Sequence, residues 1–177
     1  GLLGAKYYVA NPLYPLETTV GVINTDAPGV HGRTRDFSIS GSAELGLLDV
    51  LTEEAEKFGR RYSPDPRPAA GSFFRSDHFA FAQAGVPAVS FRSGSDLVEG
   101  GTERAAAIAA AYAAEDYHQQ SDEWSPDWDL SGMVADAELI FAVADRLGNS
   151  KDWPNWAEGS EFKALRDNSS AARARSD

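Results

Sequence analysis

Short apolar runs of strand length alternate along this chain with longer segments of helical periodicity. Residues 18–23 are rich in β-branched side chains, and residues 86–91 form a second apolar run of strand length. Residues 45–58 and 131–147 instead repeat apolar side chains at helical spacing. Strands and helices that alternate in this way bury their apolar faces as stacked layers, so the sequence predicts an α/β sandwich.

The remaining elements follow from the same patterns and from the residues that end them. We predict a further strand at residues 35–40 and helices at residues 2–9, 77–84, 102–115 and 160–167. The predicted buried face of the helix at 131–147 consists of Met133, Ala137, Ile140, Phe141, Ala144 and Leu147. From Asn168 onward Ser, Ala, Arg and Asp predominate, so we expect a frayed tail there.

The composition restricts both the partners and the chemistry. Hydrophobic residues make up 42% of the 177 residues and charged residues 24%, which is typical of one globular domain or a large part of one. The formal net charge is −11, and binding to phosphate groups needs clustered Lys and Arg. We therefore expect neither nucleic acid nor a membrane surface as a partner. The chain has no cysteine, which excludes thiolate zinc sites, disulfides and cysteine nucleophiles.

Three polar clusters at the ends of predicted elements hold two of the three histidines. They are Ile23-Asn24-Thr25-Asp26, Arg75-Ser76-Asp77-His78 and the Tyr-His-Gln-Gln-Ser-Asp-Glu segment at residues 117–123. Carboxylate and imidazole groups in such places are the ligands that zinc uses in the absence of cysteine. One Asp and one His make only half of a metal site, so the other ligands must lie elsewhere.

The first and third clusters also have purely structural interpretations. Asp26 precedes Pro28-Gly29, and Asp commonly opens a turn. His118 could be an ordinary surface histidine. Asp122 is nevertheless close enough in sequence to accept a hydrogen bond from its free ring nitrogen, as ligand histidines usually require.

The second cluster has an equally simple structural interpretation. Ser76 can cap a helix, and Asp77 and His78 would then be polar residues of its first turn. No metal contact is predicted for these three residues.

Taken together, four segments follow the sequence pattern of one known family. Residues 1–8 resemble the segment directly after the Glu-Glu pair of metallopeptidase family 28, the di-zinc aminopeptidases. Residues 23–26 match its Ile-Asn-x-Asp strand end, and residues 117–122 match Tyr-His-x-x-x-Asp. Residues 76–88 match Ser-Asp-His-x-x-Phe followed by Gly-Ile/Val-Pro-Ala. Each match is weak alone, but four in order at plausible spacing are specific.

The resemblance implies a fold, a division of the chain and a location. The fold would be a three-layer sandwich with a mixed, mostly parallel sheet between helices. Residues 1–150 would form the C-terminal part of a zinc peptidase catalytic domain, and residues 151–177 an extension and tail. The family also favours an extracytoplasmic or secreted location.

The resemblance further implies an exopeptidase that releases N-terminal residues from peptide substrates through a water activated by two zinc ions. Asp26 would bind one zinc and His118 the other. Tyr117 is similar to the residue that supports the tetrahedral intermediate. Four further residues would surround the metal ligands without contacting the metal directly, namely Ser76, Asp77, His78 and Asp122.

The chain departs from the family pattern at its start, because the His-x-Asp motif and the Glu-Glu pair are both missing. These motifs supply three ligands and the general base, so we expect this chain alone to be inactive and to bind no zinc tightly. The strands that would lie beside residues 20–23 and 86–91 would be missing too. An unpaired apolar edge tends to find another chain, so we expect a homo-oligomer through this sheet edge.

Two other functions stay open. Glutaminyl cyclases share this fold, keep a single zinc and act as transferases, and the upstream ligands would separate them from peptidases. Non-catalytic relatives that serve in binding usually lose the ligands. Both Asp26 and His118 are present here, which favours an enzyme.

Overall fold

Helices cover both faces of a four-stranded sheet in the computed structural model, which describes residues 1–173. The strands are β1 (Val22–Asn24), β2 (Asp36–Ile39), β3 (Arg61–Tyr62) and β4 (Ala88–Ser93). The helices are α1 (Leu3–Ala10), α2 (Gly46–Lys57), α3 (His78–Gln83), α4 (Gly101–Glu115), α5 (Ser131–Gly148), α6 (Lys163–Asn168) and α7 (Ser170–Arg173). This arrangement confirms the predicted α/β sandwich.

The sheet is mixed, as the resemblance implies, with the strand order β1-β4-β2-β3. β1 pairs in parallel with β4, β2 pairs in parallel with β3, and β4 and β2 are antiparallel. β4 therefore has a neighbour on each side, so the expectation that residues 86–91 border an open edge is wrong. Among the described residues, β1 and β3 are the edge strands. The sequence did not predict β3, because two residues give no recognisable period.

The two faces of the sheet differ in polarity. Residues directly opposite each other share a face, as do residues two apart in one strand. Asn24 lies opposite Ser90 and Ser38 opposite Arg92, and the hydroxyls of Ser40 and Ser90 are 3.3 Å apart. We call this side the polar face. The opposite, apolar face carries Ile23, Phe37, Ile39, Val89 and Phe91.

Helices α2 and α5 pack together and contribute to the core that covers the apolar face. The buried positions of α5 are Gly132, Asp136, Leu139, Val143 and Leu147. The predicted face is therefore wrong in part, because Phe141 is 71% exposed. Helix α5 carries two apolar stripes, and periodicity alone could not decide which one faces the core. The buried stripe includes a carboxylate, Asp136, which a search for apolar periodicity passes over.

A buried ion pair explains why Asp136 can lie in the core. Its carboxylate is 2.7 Å from the guanidinium of Arg60, which also donates to the hydroxyl of Thr34 and the carbonyl of Asp36. Ser93, at the end of β4, donates a short hydrogen bond to Asp136 and accepts one from the backbone N–H of Gly29 at 2.8 Å. The network thus fastens the loop that follows β1 to β4 and α5.

The extension after residue 150 folds onto the sheet. The indole N–H of Trp156, only 3% exposed, donates to the carbonyl of Gly85 at 3.0 Å. Arg166 is 2% exposed and donates to the carbonyls of Thr19 and Val20 at 2.9 and 3.0 Å, just before β1 begins. The extension therefore supports β1 and the turn between α3 and β4.

The expectation of a frayed tail from Asn168 onward is wrong for residues 168–173. Helix α7 is formed there, and the guanidinium of Arg173 donates to the carbonyl of Arg166 at 3.1 Å. Trp153 lies 5.6 Å from the guanidinium of Arg166 and 5.5 Å from that of Arg173, at cation–π distance. Residues 174–177 lie outside the described residues. Within residues 1–173 no helix has the length and apolar composition to cross a membrane.

The close packing of α6 on Gly85 leads to a stability prediction. Gly85 has φ +87°, and an added Cβ would lie 2.7 Å from the Cβ of Leu165 and 2.9 Å from the backbone N of Arg166. Gly85→Ala should therefore lower the free energy of unfolding by about 3 kcal/mol or more through backbone strain and overpacking. Denaturant unfolding would measure the loss.

The matched control is Gly59→Ala. Gly59 has φ +69°, but nothing lies within 4 Å of an added Cβ. This variant should lose only the cost of a left-handed conformation, about 1 kcal/mol. Equal losses in the two variants would contradict the packing of the extension on Gly85.

Candidate metal site

Asp26 lies two residues beyond the end of β1, and both of its carboxylate oxygens are held. Oδ1 accepts a hydrogen bond from the side-chain amide of Asn24 at 3.0 Å, and Oδ2 accepts one from the hydroxyl of Ser76 at 2.5 Å. The amide of Asn24 also donates to the hydroxyl of Ser76 at 2.7 Å. Asp26 itself is exposed. Each of its oxygens keeps a further lone pair, so the carboxylate is oriented and still able to bind a cation.

Ser76 reaches Asp26 instead of capping a helix, so the predicted cap is wrong. Helix α3 begins at His78, with Asp77 in the N-cap position and no capping bond from a side chain. The hydroxyl of Ser76 donates instead to the carboxylate of Asp26, and hydrogen bonds to charged acceptors are stronger than those to neutral ones. Ser76 thus contacts the candidate ligand, and its predicted role around a metal stays a prediction.

His78 is fully buried beside this cluster. Among the described residues neither ring nitrogen has a hydrogen-bond partner, and the ring lies edge-on to Phe73 with 4.9 Å between centroids. Burial lowers the pKa of His78 to about 4, although the negative charges of Asp26 and Asp77 act in the opposite direction. His78 is therefore neutral at physiological pH.

His118 and Tyr117 lie on the surface after α4. The backbone of His118 has φ +62°, a left-handed conformation that is uncommon for a non-glycine residue and costs free energy. Its ring stacks on that of Tyr117, with 4.0 Å between centroids and 21° between the planes. Such strain is frequent at functional sites. Here the left-handed conformation means that the backbone at His118 does not continue helix α4.

The carboxylate of Asp122 bonds to Tyr112, not to His118. It accepts a hydrogen bond from the phenol hydroxyl at 3.0 Å, which is the leading reason that the pKa of Tyr112 is raised. The turn over residues 118–122 folds Asp122 back toward the end of α4, so the predicted bond to His118 is absent from the described residues. Sequence analysis missed Tyr112, because a tyrosine inside an alanine-rich helix carries no separate signal.

The described residues do not form a complete set of metal ligands. Within residues 1–173 no group of three His, Cys, Asp or Glu side chains is arranged to hold a metal ion. Zinc sites in proteins use three or four protein ligands. Asp26 and His118 therefore do not form a zinc site by themselves, and their roles as ligands of two neighbouring zinc ions stay predictions.

Comparison with known proteins gives one result that bears on identity. The model of peptidase family M28 matches residues 1–142. The chain therefore belongs to this family of metallopeptidases, and at the level of the family its function is peptide hydrolysis. Comparisons with curated proteins and with solved structures give no match.

The buried His78 predicts a pH dependence of stability. Between pH 6.5 and about 4 only the unfolded chain binds the proton of this group. The contribution of His78 to the free energy of unfolding should thus fall as the pH falls through this window, and it should stay constant below the window. The loss attributable to His78 is about 3 kcal/mol.

His78→Phe replaces the ring with an apolar one and should remove this part of the pH dependence. The measurement is urea unfolding of both proteins from pH 7 to pH 4, and the difference between them cancels the titration of carboxylates. His31→Gln, at an exposed position, is the control. Identical pH dependence in the original chain and in His78→Phe would show that folding does not lower the pKa of His78.

Proposed function

We propose that the chain forms part of a zinc aminopeptidase that removes N-terminal residues from peptides. The observation that carries this proposal is the carboxylate of Asp26, exposed at the end of a parallel strand and held at both oxygens by Asn24 and Ser76. Open α/β sheets bind their ligands at the carboxyl ends of strands. Membership of peptidase family M28 supports peptide hydrolysis as the reaction that takes place at this strand end.

In this proposal each side chain of the site has a separate task. Asp26 would bind one zinc and His118 the other, with Ser76 fixing the orientation of the Asp26 carboxylate. The hydroxyl of Tyr117 would donate to the oxygen of the scissile carbonyl group. Its ring stacks on that of His118, which supports a location next to the metal. Bound zinc would supply Lewis acidity and an acidified water.

The remaining ligands and the general base would come from outside this sequence, as the resemblance to the family implies. A glutaminyl-cyclase-like transferase and a non-catalytic binding protein remain alternatives that the activity test separates.

The first test measures amide hydrolysis by the protein as its gene encodes it. We expect cleavage of an aminoacyl p-nitroanilide, no cleavage of the N-acetylated substrate, loss of activity with a zinc chelator and recovery with zinc. Asp26→Asn and His118→Gln should each lower kcat/KM by more than about 100-fold, since loss of a group that only supports a ligand already costs 10–100-fold. His31→Gln should leave kcat/KM unchanged.

The 177-residue chain on its own serves as a second control. We expect it to be inactive and to bind no zinc tightly in calorimetry. Cyclisation of N-terminal glutamine without hydrolysis would favour the transferase, and zinc-independent peptide binding would favour the binding protein. Full hydrolytic activity in Asp26→Asn would contradict the assignment of the site.

We also propose self-association of the 177-residue chain through the outer side of β1. The backbone N–H of Val22 points toward β4, where it donates to the carbonyl of Pro87, so the backbone groups of Ile23 point outward. Light scattering over a concentration series should show a dimer. Ile23→Pro removes an outward donor and should give a monomer with an unchanged circular dichroism spectrum. A monomer at every concentration in the original chain would contradict this proposal.

A further inference from the structure

A cleft of about 160 Å³ opens on the polar face of the sheet, between strands β2 and β4 and the proline-rich loop at residues 63–67. Its lining includes two arginines, Arg67 and Arg92, one carboxylate, Asp65, and four serines, among them Ser38 and Ser95. Ser38 and Arg92 lie directly opposite each other on paired strands. We call this feature the arginine cleft.

Both arginines of the cleft have unused hydrogen-bonding capacity. Within residues 1–173 neither guanidinium donates a hydrogen bond or lies in an ion pair. By contrast, Arg35 and Arg61 both pair with Asp96, at 3.1 and 2.7 Å. In a chain with a net charge of −11, carboxylates are in excess. Two unpaired arginines beside one cleft are therefore available to an external anion.

Asp65 offsets only one of the two arginine charges, and the bonds that hold its carboxylate come from neutral donors of the surrounding loops. It accepts hydrogen bonds from the backbone N–H groups of Gly41 and Arg67, both at 2.8 Å, and from the hydroxyl of Ser72 at 3.0 Å. Burial opposes its ionisation, but these bonds and the charge of Arg92 lower the pKa of Asp65 below its ordinary value. Asp65 thus fixes the loop that carries Arg67 and leaves one net positive charge in the cleft.

The strand register places the arginine cleft at the same end of the sheet as the candidate metal site. β1 and β4 run in parallel with Asn24 opposite Ser90, so Asp26 and Arg92 each lie two residues further toward the same end of the sheet. Neighbouring strands are about 4.8 Å apart. Ser93, next to Arg92, also holds the loop after Asp26 through the N–H of Gly29. Asp26, beyond the end of β1, and the cleft, on the β2 side of β4, thus lie at the same end of the sheet.

We propose that the arginine cleft binds a carboxylate of the peptide substrate, so that the preferred substrates carry an acidic residue near the cleaved bond. This inference rests on the proposed function. Guanidinium groups bind carboxylates through paired, charge-assisted hydrogen bonds, and serine hydroxyls can donate further ones. The cleft is smaller than sites for drug-sized ligands, which suits a single charged group.

The test measures binding to the 177-residue chain by nuclear magnetic resonance at low ionic strength, where neither zinc nor hydrolysis is needed. The probes are N-acetyl-Ala-Glu-amide and its neutral counterpart N-acetyl-Ala-Gln-amide. We expect the Kd for the Glu peptide to be at least about tenfold lower, as charge-assisted hydrogen bonds predict. The largest shifts should occur at the backbone amides of Ser38 and Arg92.

Arg92→Gln and Arg67→Gln should each abolish most of the preference for Glu, and the folded spectrum should persist because both side chains are exposed. The matched control is Arg104→Gln, the same charge change at an exposed position of α4, where the guanidinium donates to the carbonyl of Glu99 at 3.1 Å. This control should keep the preference.

Equal Kd values for the two peptides would overturn the proposal, as would an unchanged preference in Arg92→Gln. Inorganic phosphate is a further probe. Tighter binding of phosphate than of the Glu peptide would overturn the assignment to a peptide carboxylate. If the encoded protein shows no aminopeptidase activity while the Glu preference persists, the proposed function fails and the carboxylate site stands.

Discussion

The parallel pairing of β1 with β4 is the interaction on which the candidate site depends. It places the ends of the two strands side by side, so that Asp26 after β1 and Arg92 in β4 lie at one end of the sheet. Because α3 directly precedes β4, the same pairing brings Ser76 to the carboxylate of Asp26. A shift in register by one residue would turn Asn24 to the apolar face and break the bonds that orient Asp26.

Buried charged groups fix the segments around this pairing. Arg60, Asp136 and Ser93 hold the loop after Asp26, and Arg166 holds the carbonyl groups that lead into β1. Removing one partner from such a cluster leaves an uncompensated buried charge and costs several kcal/mol. Burial lowers the pKa of Arg166 to about 10, so it stays charged at neutral pH. The extension after residue 150 is thus part of what supports the site, although the match to the family model ends at residue 142.

The sequence was informative where a residue's role depends on local pattern. A β-branched run predicted β1, alternation of apolar with polar residues predicted β2, and an apolar run of strand length predicted β4. The position of Asp26 at a strand end followed from the turn residues after it. Prediction from the sequence failed where tertiary contacts decide between two local structures that the same residues could form. Ser76 is equally suited to cap a helix or to bond a carboxylate, and only the approach of β1 selects the second. The buried face of α5 depended on a distant partner, Arg60, that makes Asp136 tolerable in the core.

The roles proposed for Arg67 and Arg92 could not be predicted from the sequence for a related reason. A single arginine in a strand or a loop is ordinarily a solvated surface residue. The two guanidinium groups come to one cleft only because β2 pairs with β4 and the loop at residues 63–67 borders the same cleft. Likewise, the motif around His118 could be recognised, but the bond from Tyr112 to Asp122 spans ten residues and follows from how α4 ends.

The most direct test of the proposed metal site is a crystal structure of the encoded protein grown with zinc, with anomalous diffraction at the zinc edge. We expect two zinc ions about 3.5–4 Å apart. A carboxylate oxygen of Asp26 should lie about 2.0–2.2 Å from one ion and a ring nitrogen of His118 about 2.0–2.1 Å from the other. Zinc bound to His78, or anomalous density remote from both Asp26 and His118, would contradict it.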